Sequence, residues 1–284
     1  MKKNFRAFSL LELALILVVL GAIMTLGVGV LSSIVKNNKM RETESILEEV
    51  RESLVGYVMT NGRLPCPDAD GDGHEDSSSG SCTCSLPDCF LPYVTINVRG
   101  SDAYGRKLYY NVDSIFTTFS TLRGFCVHAP YITPSIQVSS NSDCSSGYYI
   151  AAIVISGGRK DSDGDNLILD GENADNDSCF VQESVSISNN YDDFTKEISL
   201  AWLLSRACDT NLRKLKIRIS GGNLCYNGNT YDSSHGYIFL GSGETIRENS
   251  CSGDLKTFDE LRNIDWSGDR DGMIKWDGFS WSDD

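Results

Sequence analysis

The sequence predicts an α+β fold in which a long N-terminal transmembrane and amphipathic helix packs on an antiparallel β-sheet, with disulfide-rich loops and a C-terminal extension. Four observations support this fold class. An almost unbroken apolar run covers residues 8–35, and apolar residues then recur at helical spacing. Short segments rich in β-branched and aromatic residues follow between turn signals, and every cysteine lies beyond the apolar run.

The apolar run at residues 8–35 is long enough to cross about 30 Å of hydrocarbon. Lys2, Lys3 and Arg6 precede it, which places the amino end in the cytoplasm by the positive-inside rule. Glu12 lies inside the run, where an ionised carboxylate costs at least about 2.5 kcal/mol and needs a cationic partner. A secretory signal peptide, with a shorter apolar region and no buried acid, is the less favoured alternative.

Residues 6–12, Arg6-Ala7-Phe8-Ser9-Leu10-Leu11-Glu12, resemble the class III signal of type IV pilins and type II secretion pseudopilins. The resemblance implies that prepilin peptidase cuts between Ala7 and Phe8 and that Phe8 is then N-methylated. It also implies that Glu12 pairs with the Phe8 ammonium of a neighbouring subunit. Ala7 departs from the family, which usually has Gly before the cut. A simple single-pass anchor with an isolated acidic residue is the alternative.

The same resemblance implies where the chain resides and what it contacts. It predicts a single-pass protein of the bacterial inner membrane, with a cytoplasmic N terminus and a periplasmic globular domain, which then enters a filament. The implied partners are prepilin peptidase, other pilin or pseudopilin subunits and the inner-membrane assembly platform. The predicted organisation comprises four parts: a leader (1–7), a long helix (8–61, with 8–35 as transmembrane and assembly segment), a pilin-like globular domain (62–208) and a C-terminal extension (209–284).

Composition and motif content argue against two classes of function, nucleic-acid binding and catalysis. The 284 residues suffice for the helix and one large or two smaller globular domains, and the net charge of −14 argues against a nucleic-acid partner. His74, His128 and His235 lie in unrelated contexts, and no nucleophile elbow, phosphate loop or dinucleotide fingerprint is present. The sequence therefore predicts a protein that is not an enzyme.

The ten cysteines are even in number and follow the apolar run, which predicts up to five disulfides formed in an oxidising compartment. Cys82, Cys84 and Cys89 lie so close together that each is expected to pair outside this group. Zinc bound by these three thiolates and His74 is the alternative, although the usual two-residue gap between thiolates is missing. The disulfide candidates are Cys66, Cys82, Cys84, Cys89, Cys126, Cys144, Cys179, Cys208, Cys225 and Cys251.

Periodicity predicts the other elements. Apolar residues from Ile46 to Val58 recur at spacings of three and four, and Asn61-Gly62 followed by Pro65 ends the helix near residue 60. Further helices are expected at 194–208 and near Lys256. The predicted strands are residues 107–112, 125–128, 148–156, 180–188, 214–220 and 236–240.

The first acidic loop places carboxylates at calcium-loop spacing. Asp68, Asp70, Asp72 and Asp76 fall at positions 1, 3, 5 and 9 of an EF-hand loop, with a glycine at position 6. Position 12 is Ser79, so a genuine EF-hand is not supported. A calcium-ordered loop and a solvated acidic turn both remain open for this weaker site.

The second acidic loop matches the EF-hand calcium-loop spacing better than the first. Asp161, Asp163 and Asp165 occupy positions 1, 3 and 5, and Glu172 occupies position 12. The resemblance implies structural calcium here, because pseudopilins bind it in a corresponding loop before an Asp-Asp-Ile-like segment, which residues 192–194 resemble. A solvated loop is the alternative. The preferred Ca²⁺ ligands are Asp161, Asp163, Asp165, Asp170, Glu172 and Asp177.

These observations favour a structural function. The resemblance implies a minor subunit of a type IV pilus or type II secretion pseudopilus, assembled through the N-terminal helix. The added bulk beyond Asp209, which includes Trp266, Trp276 and Trp281, predicts a position at the filament tip. The alternative is a filament-borne adhesin or ligand-binding module. A membrane-anchored hydrolase is less favoured, because no motif predicts its activity.

Overall fold

The computed structural model describes residues 10–78, 81–82, 84, 89–140, 144–161, 164, 167–175, 177–182 and 191–284. The helices of this part of the chain are α1 (Leu10–Asn61), α2 (Leu122–His128), α3 (Leu200–Ala207) and α4 (Phe258–Ser267). The strands are β1 (Ser77–Ser78), β2 (Ser81–Cys82), β3 (Tyr109–Val112), β4 (Ile136–Ser139), β5 (Tyr148–Ile150), β6 (Ala152–Ser156), β7 (Cys179–Val181), β8 (Phe194–Ile198), β9 (Leu215–Ile219), β10 (Asn223–Tyr226), β11 (Asn229–Asp232), β12 (Tyr237–Leu240), β13 (Thr245–Glu248), β14 (Leu255–Thr257), β15 (Met273–Trp276) and β16 (Trp281–Asp283).

The distal half of α1 carries the main core. Leu47, Val50, Leu54 and Val58 are each at most 2% exposed, and their spacing places them on one stripe of the helix. Full burial of each aliphatic side chain stabilises the fold by about 1.5–3 kcal/mol. The helix ends where Gly62 adopts a left-handed φ of +75° and donates its N–H to the Val58 carbonyl at 2.8 Å.

The main core lies between α1, the antiparallel sheet β3-β6-β8, and helices α2 and α3. Strand β6 is buried along its whole length because both of its faces are covered. Ala152 and Val154 face the main core, whereas Ile153 and Ile155 face a second core formed with the sheet β5-β4-β7. Since the central strand is shared, the two cores form one body around β6.

A third core belongs to the C-terminal lobe, which we define as residues 209–284. It contains the four-stranded sheets β11-β10-β13-β14 and β12-β9-β15-β16. Ile217, Ile238 and Trp276 from the second of these sheets pack with Phe258 and Leu261 of α4. Val127 of α2 also belongs to this core, so α2 contacts both the main core and the lobe.

The predicted pilin-like architecture is wrong. The described residues form an α+β structure with five small sheets in place of one antiparallel sheet laid on a membrane-spanning helix. Two strand pairs, β4 with β7 and β9 with β15, are parallel. The physical reason is that the buried apolar residues are divided among three separate cores, each of which is covered by its own sheets.

The predicted membrane span and the single-pass inner-membrane localisation are also corrected. In the part of the chain that the structure describes, no helix combines the length and apolar character needed to cross a bilayer. The five disulfides remain typical of an oxidising compartment.

Two local predictions are wrong because capping side chains set different boundaries. The predicted strand 125–128 lies in α2, which begins after Thr121, whose hydroxyl accepts a backbone N–H of the first turn. The predicted helix 194–208 is divided into β8 and α3. Ser199 separates them by capping α3 with its side chain.

Several predicted elements are present with small shifts of boundary. Strands β3, β9 and β12 lie within residues 107–112, 214–220 and 236–240, and β5 and β6 together cover most of 148–156. The helix expected near Lys256 is α4. Of the predicted strand at 180–188, β7 contains the first two residues, and residues 183–188 lie outside the described part.

Gly124 tests the contact between α2 and the C-terminal lobe. A Cβ atom at this position would lie 1.7 Å from the Arg270 carbonyl oxygen, so Gly124→Ala must displace the lobe's backbone. We expect Gly124→Ala to lower the free energy of unfolding by about 1–3 kcal/mol in urea denaturation. Gly56→Ala is the matched control in α1, because no atom lies within 4 Å of its added methyl group.

Gly56→Ala should leave stability unchanged or raise it by up to about 1 kcal/mol, since alanine is the better helix former. Equal stability of the Gly124→Ala and Gly56→Ala variants would contradict the close contact between α2 and the lobe.

Candidate metal centre

The predicted calcium ligands that the structure describes do not form one site and lie in separate turns and clusters. Asp163 and Asp165 lie outside the described residues. Asp161 accepts the Gly164 N–H at 2.6 Å, which closes a local turn. Glu172 and Asp177 lie together with Asp175 in one largely exposed acidic cluster. Asp170, the sixth predicted ligand, is buried in a different cluster.

The best candidate centre is the cluster of Asp170, Asp192 and Asp193. One carboxylate oxygen of each lies within 4.8 Å of those of the other two. Asp192 and Asp193 immediately precede β8, and Asp170 begins the 3-10 turn Gly171–Ala174. The end of β6 pairs with the start of β8, so the cluster lies at one edge of the main sheet.

Hydrogen bonds hold these three residues in place. The Asp193 Oδ2 accepts the Asp170 N–H at 3.0 Å and the Asn173 side-chain amide at 2.9 Å. The Asp192 N–H donates to the Asp170 Oδ2 at 2.6 Å. The Asp192 Oδ2 accepts the Arg159 N–H at 3.0 Å. The centre is therefore built from backbone and side-chain donors that fix each carboxylate.

Two oxygens of the centre are left without such donors. Among the described residues, the Asp192 Oδ1 and the Asp193 Oδ1 are buried and have no hydrogen-bond partner. Burial raises the pKa of Asp193 well above its usual range, and the charges of Asp170 and Asp192 raise it further, against the opposing hydrogen bond from Asn173. A hard divalent cation would satisfy these oxygens and offset the repulsion, and oxygen donors of this type suit Ca²⁺.

The first acidic loop, which is the weaker of the two predicted calcium sites, is held together by hydrogen bonds from its own backbone N–H groups. Oxygens of Asp68, Asp70 and Asp76 lie within 4.8 Å of one another, and this cluster does not include Asp72. The buried Asp68 carboxylate accepts the N–H groups of Gly71 at 2.6 Å and Gly73 at 2.7 Å. Because backbone donors already satisfy Asp68, this loop fits a cation less well than the centre at Asp193.

A third acidic cluster lies in the C-terminal lobe, and Asp265 is its one buried member. Asp265, Asp269, Asp271 and Asp283 bring carboxylate oxygens within 4.8 Å of one another in the C-terminal lobe. The fully buried Asp265 contacts the Nε2 atom of the fully buried His128 in α2 and accepts the Gly272 N–H. The sequence could not reveal Asp283 as a member, because it lies on a separate strand.

The cysteines form five disulfides, as the even count predicted. The pairs join residues 66 with 82, 84 with 89, 126 with 208, 144 with 179, and 225 with 251. The expectation that Cys84 and Cys89 pair outside their group is wrong, because their Cα atoms lie 5.5 Å apart, which is a distance that a disulfide spans. Zinc bound by these thiolates is excluded, since their sulfur atoms are in disulfides.

The predicted processing and assembly residues lie near the amino end of the chain. Ala7 and Phe8 lie outside the described residues, and Glu12 lies in the first turn of α1 with exposed apolar neighbours. No protein-family model, curated protein or solved structure matches the chain. The resemblance to pilins and pseudopilins therefore stays a prediction from residues 6–12.

The centre at Asp193 predicts a calcium-dependent stability. A cation at 100 times its dissociation constant adds about 2.7 kcal/mol to the free energy of unfolding, which raises the melting temperature in calcium over that in chelator. Asp193→Asn should remove this increase and stabilise the chelated protein at neutral pH, because folding then no longer requires this carboxylate to be buried as a charge or to take up a proton. Asp254→Asn, at an exposed carboxylate, is the control and should keep the full calcium response. A wild-type melting temperature that calcium does not change would contradict a cation at this centre.

The cluster around Asp271 predicts a pH dependence. Burial and the charges of Asp269, Asp265 and Asp283 raise the pKa of Asp271 to about 6 in the folded protein, from an unfolded value of 3.8. The folded state therefore holds more protons between these values, and this group's contribution to stability is lost as the pH rises through about 6.

Asp271→Asn should thus stabilise the protein at pH 7 in chelator, and the difference from wild type should vanish near pH 4. Urea denaturation across this range measures the difference. A difference that does not vary with pH would contradict the shifted pKa.

Proposed function

We propose that this chain is a minor structural subunit of a filament of the type IV pilus or type II secretion pseudopilus class. In this proposal prepilin peptidase removes residues 1–7, and the mature chain assembles with other pilin or pseudopilin subunits through α1. The basis is the signal-like sequence at residues 6–12, followed by a helix whose distal half is part of the globular core.

The observation that carries the proposal is the contrast between the two ends of α1. In its first turns Leu10 and Leu11 are 87% and 77% exposed, and the apolar side chains of Val18 and Leu20 also lie in solvent. Further along, Leu54 is fully buried in the main core. A continuous apolar surface of this kind marks an interaction site, and the first turns of α1 helices from neighbouring subunits would cover it.

Glu12 gives this association a direction and a register. When apolar helices pack together, the Glu12 carboxylate loses its water and needs a cation within reach. The ammonium group of a neighbour's Phe8, which the pilin-like signal implies, supplies that cation. A subunit shifted along the filament would leave the charge unpaired, so the pair selects one stagger between adjacent helices.

Two further features support a minor and exported subunit. The C-terminal lobe adds two sheets and a separate core to the body around α1, and such bulk is most easily accommodated at a filament end. The five disulfides are typical of an oxidising compartment. We include structural Ca²⁺ at Asp170, Asp192 and Asp193 in the proposal, where it would lock the edge of the sheet beside β8.

Glu12→Ala tests assembly through α1. We expect the fraction of the chain recovered in sheared filaments to fall about tenfold or more, because the Phe8 ammonium of the neighbour then lacks its partner. Glu49→Ala, at an exposed glutamate in the distal half of the same helix, is the matched control and should assemble normally. Unchanged incorporation of Glu12→Ala would contradict the pairing.

Mass spectrometry of the same samples separates assembly from processing. Wild type and both variants should begin at an N-methylated Phe8, so that any loss of incorporation arises after the cut. A mature wild-type protein that retains Met1, or that begins beyond Val30, would refute the proposed class of filament subunit.

A further inference from the structure

One sheet of the C-terminal lobe has a solvent face with an unusual composition. In the sheet β12-β9-β15-β16, alternate residues such as Ile217, Ile238 and Ile274 point into the core of the lobe. Their neighbours in sequence point to the opposite side. We call this opposite side the basic face, formed by Lys216, Arg218, Tyr237, Phe239, Met273 and Lys275.

The residues of the basic face form two rows across the strands. Tyr237 lies opposite Arg218, which lies opposite Lys275. In the next row Phe239 lies opposite Lys216, which lies opposite Met273. The two aromatic side chains are 43% and 41% exposed, so the body of the protein leaves much of each ring in contact with water.

The cations of the basic face are held close to these rings. The Lys216 Nζ lies 3.7 Å from the centroid of the Tyr237 ring, and the Arg123 guanidinium of α2 lies 5.2 Å from that of Phe239. Arg218 pairs with Asp284 at 3.2 Å. Among the described residues, Lys216 and Lys275 form no ion pair.

The basic face is positively charged, whereas the chain as a whole is negatively charged. Acidic residues outnumber basic ones by 39 to 25, yet the basic face holds three cations and Arg123 borders it. Solubility does not require such a patch, since the net charge of −14 already supplies it. Exposed aromatic rings beside unpaired cations indicate a surface complementary to an anionic ligand.

We propose that the basic face binds a linear polysaccharide whose sugar units carry carboxylates. Adjacent strands lie about 4.8 Å apart and alternate residues about 6.8 Å apart, so the face is only about 14 Å across. That is too small for the roughly 800 Å² per partner of a stable protein interface, but it suits an extended polymer.

The other polyanions fit less well. Double-stranded nucleic acid carries one charge per about 1.7 Å of its axis, which the acid excess of this chain repels, whereas a carboxylated sugar polymer brings only one charge per sugar unit. An acidic peptide would pair with the cations but lacks the flat C–H surfaces that pack on Tyr237 and Phe239. This inference does not depend on assembly through α1.

The test uses the full chain in mild detergent and titration calorimetry with oligogalacturonate. Wild type should bind with an affinity that falls as salt rises. The double variant Lys216→Gln, Lys275→Gln should bind up to about fivefold more weakly for each cation removed and with a reduced salt dependence. Tyr237→Ala should weaken binding and leave the salt dependence unchanged, because no charge is removed.

Matched controls cover both the protein and the ligand. The double variant Lys160→Gln, Lys256→Gln removes the same charge elsewhere on the surface and should bind like wild type. Fully methyl-esterified oligogalacturonate keeps the sugar rings and loses the charges, and poly-glutamate keeps the charges and lacks the rings. Both should bind at least about tenfold more weakly than the acidic sugar.

Four outcomes would overturn the proposal. Wild type fails to bind oligogalacturonate, or the control variant loses as much affinity as the Lys216→Gln, Lys275→Gln variant. Alternatively, poly-glutamate binds wild type as tightly as oligogalacturonate does, or a single-stranded oligonucleotide binds it more tightly. Melting temperatures of all variants verify that each is folded. Tyr237→Ala provides an independent test if the lysine variant is unstable.

Discussion

Packing of the distal half of α1 against β6 and β8 is the contact on which the rest of the body depends. Leu47, Val50, Leu54 and Val58 supply an apolar stripe that covers one face of the central sheet. Helices α2 and α3 close around the same stripe, and the disulfide between Cys126 and Cys208 joins them. Because the stripe belongs to the same rigid helix as the exposed first turns, the body is held at a fixed position along α1.

Helix α2 connects the main core to the C-terminal lobe. Phe125 and Cys126 belong to the main core, whereas Val127 belongs to the core of the lobe. Gly124 leaves room for the backbone at Arg270, and His128 contacts Asp265 in an environment from which water is excluded. One short helix thus serves two cores, and the lobe is an addition with its own sheets rather than a continuation of the sheet at β6.

The distribution of charge gives the molecule chemically different regions. Clusters of carboxylates lie around the buried side chains of Asp193, Asp68 and Asp265, and each of these three side chains accepts hydrogen bonds from neighbouring backbone N–H groups. The basic face lies on the lobe, away from the core side of its sheet. In the proposed filament, assembly would use α1 and would leave the basic face of the lobe open to a soluble ligand.

The sequence by itself determined features that arise from local pattern. The period of the apolar residues in α1, its end at Gly62, the positions of β3, β6, β9 and β12 and the number of disulfides all follow from nearby residues. Tertiary structure decided which strands pair, why β6 is buried on both faces and why Cys84 joins Cys89. It also brought Asp170 to Asp193 and Asp283 to Asp265, and aligned Tyr237 with Arg218 and Lys275. These contacts join residues far apart in the chain, and no local propensity specifies the partner of a strand end or a loop carboxylate.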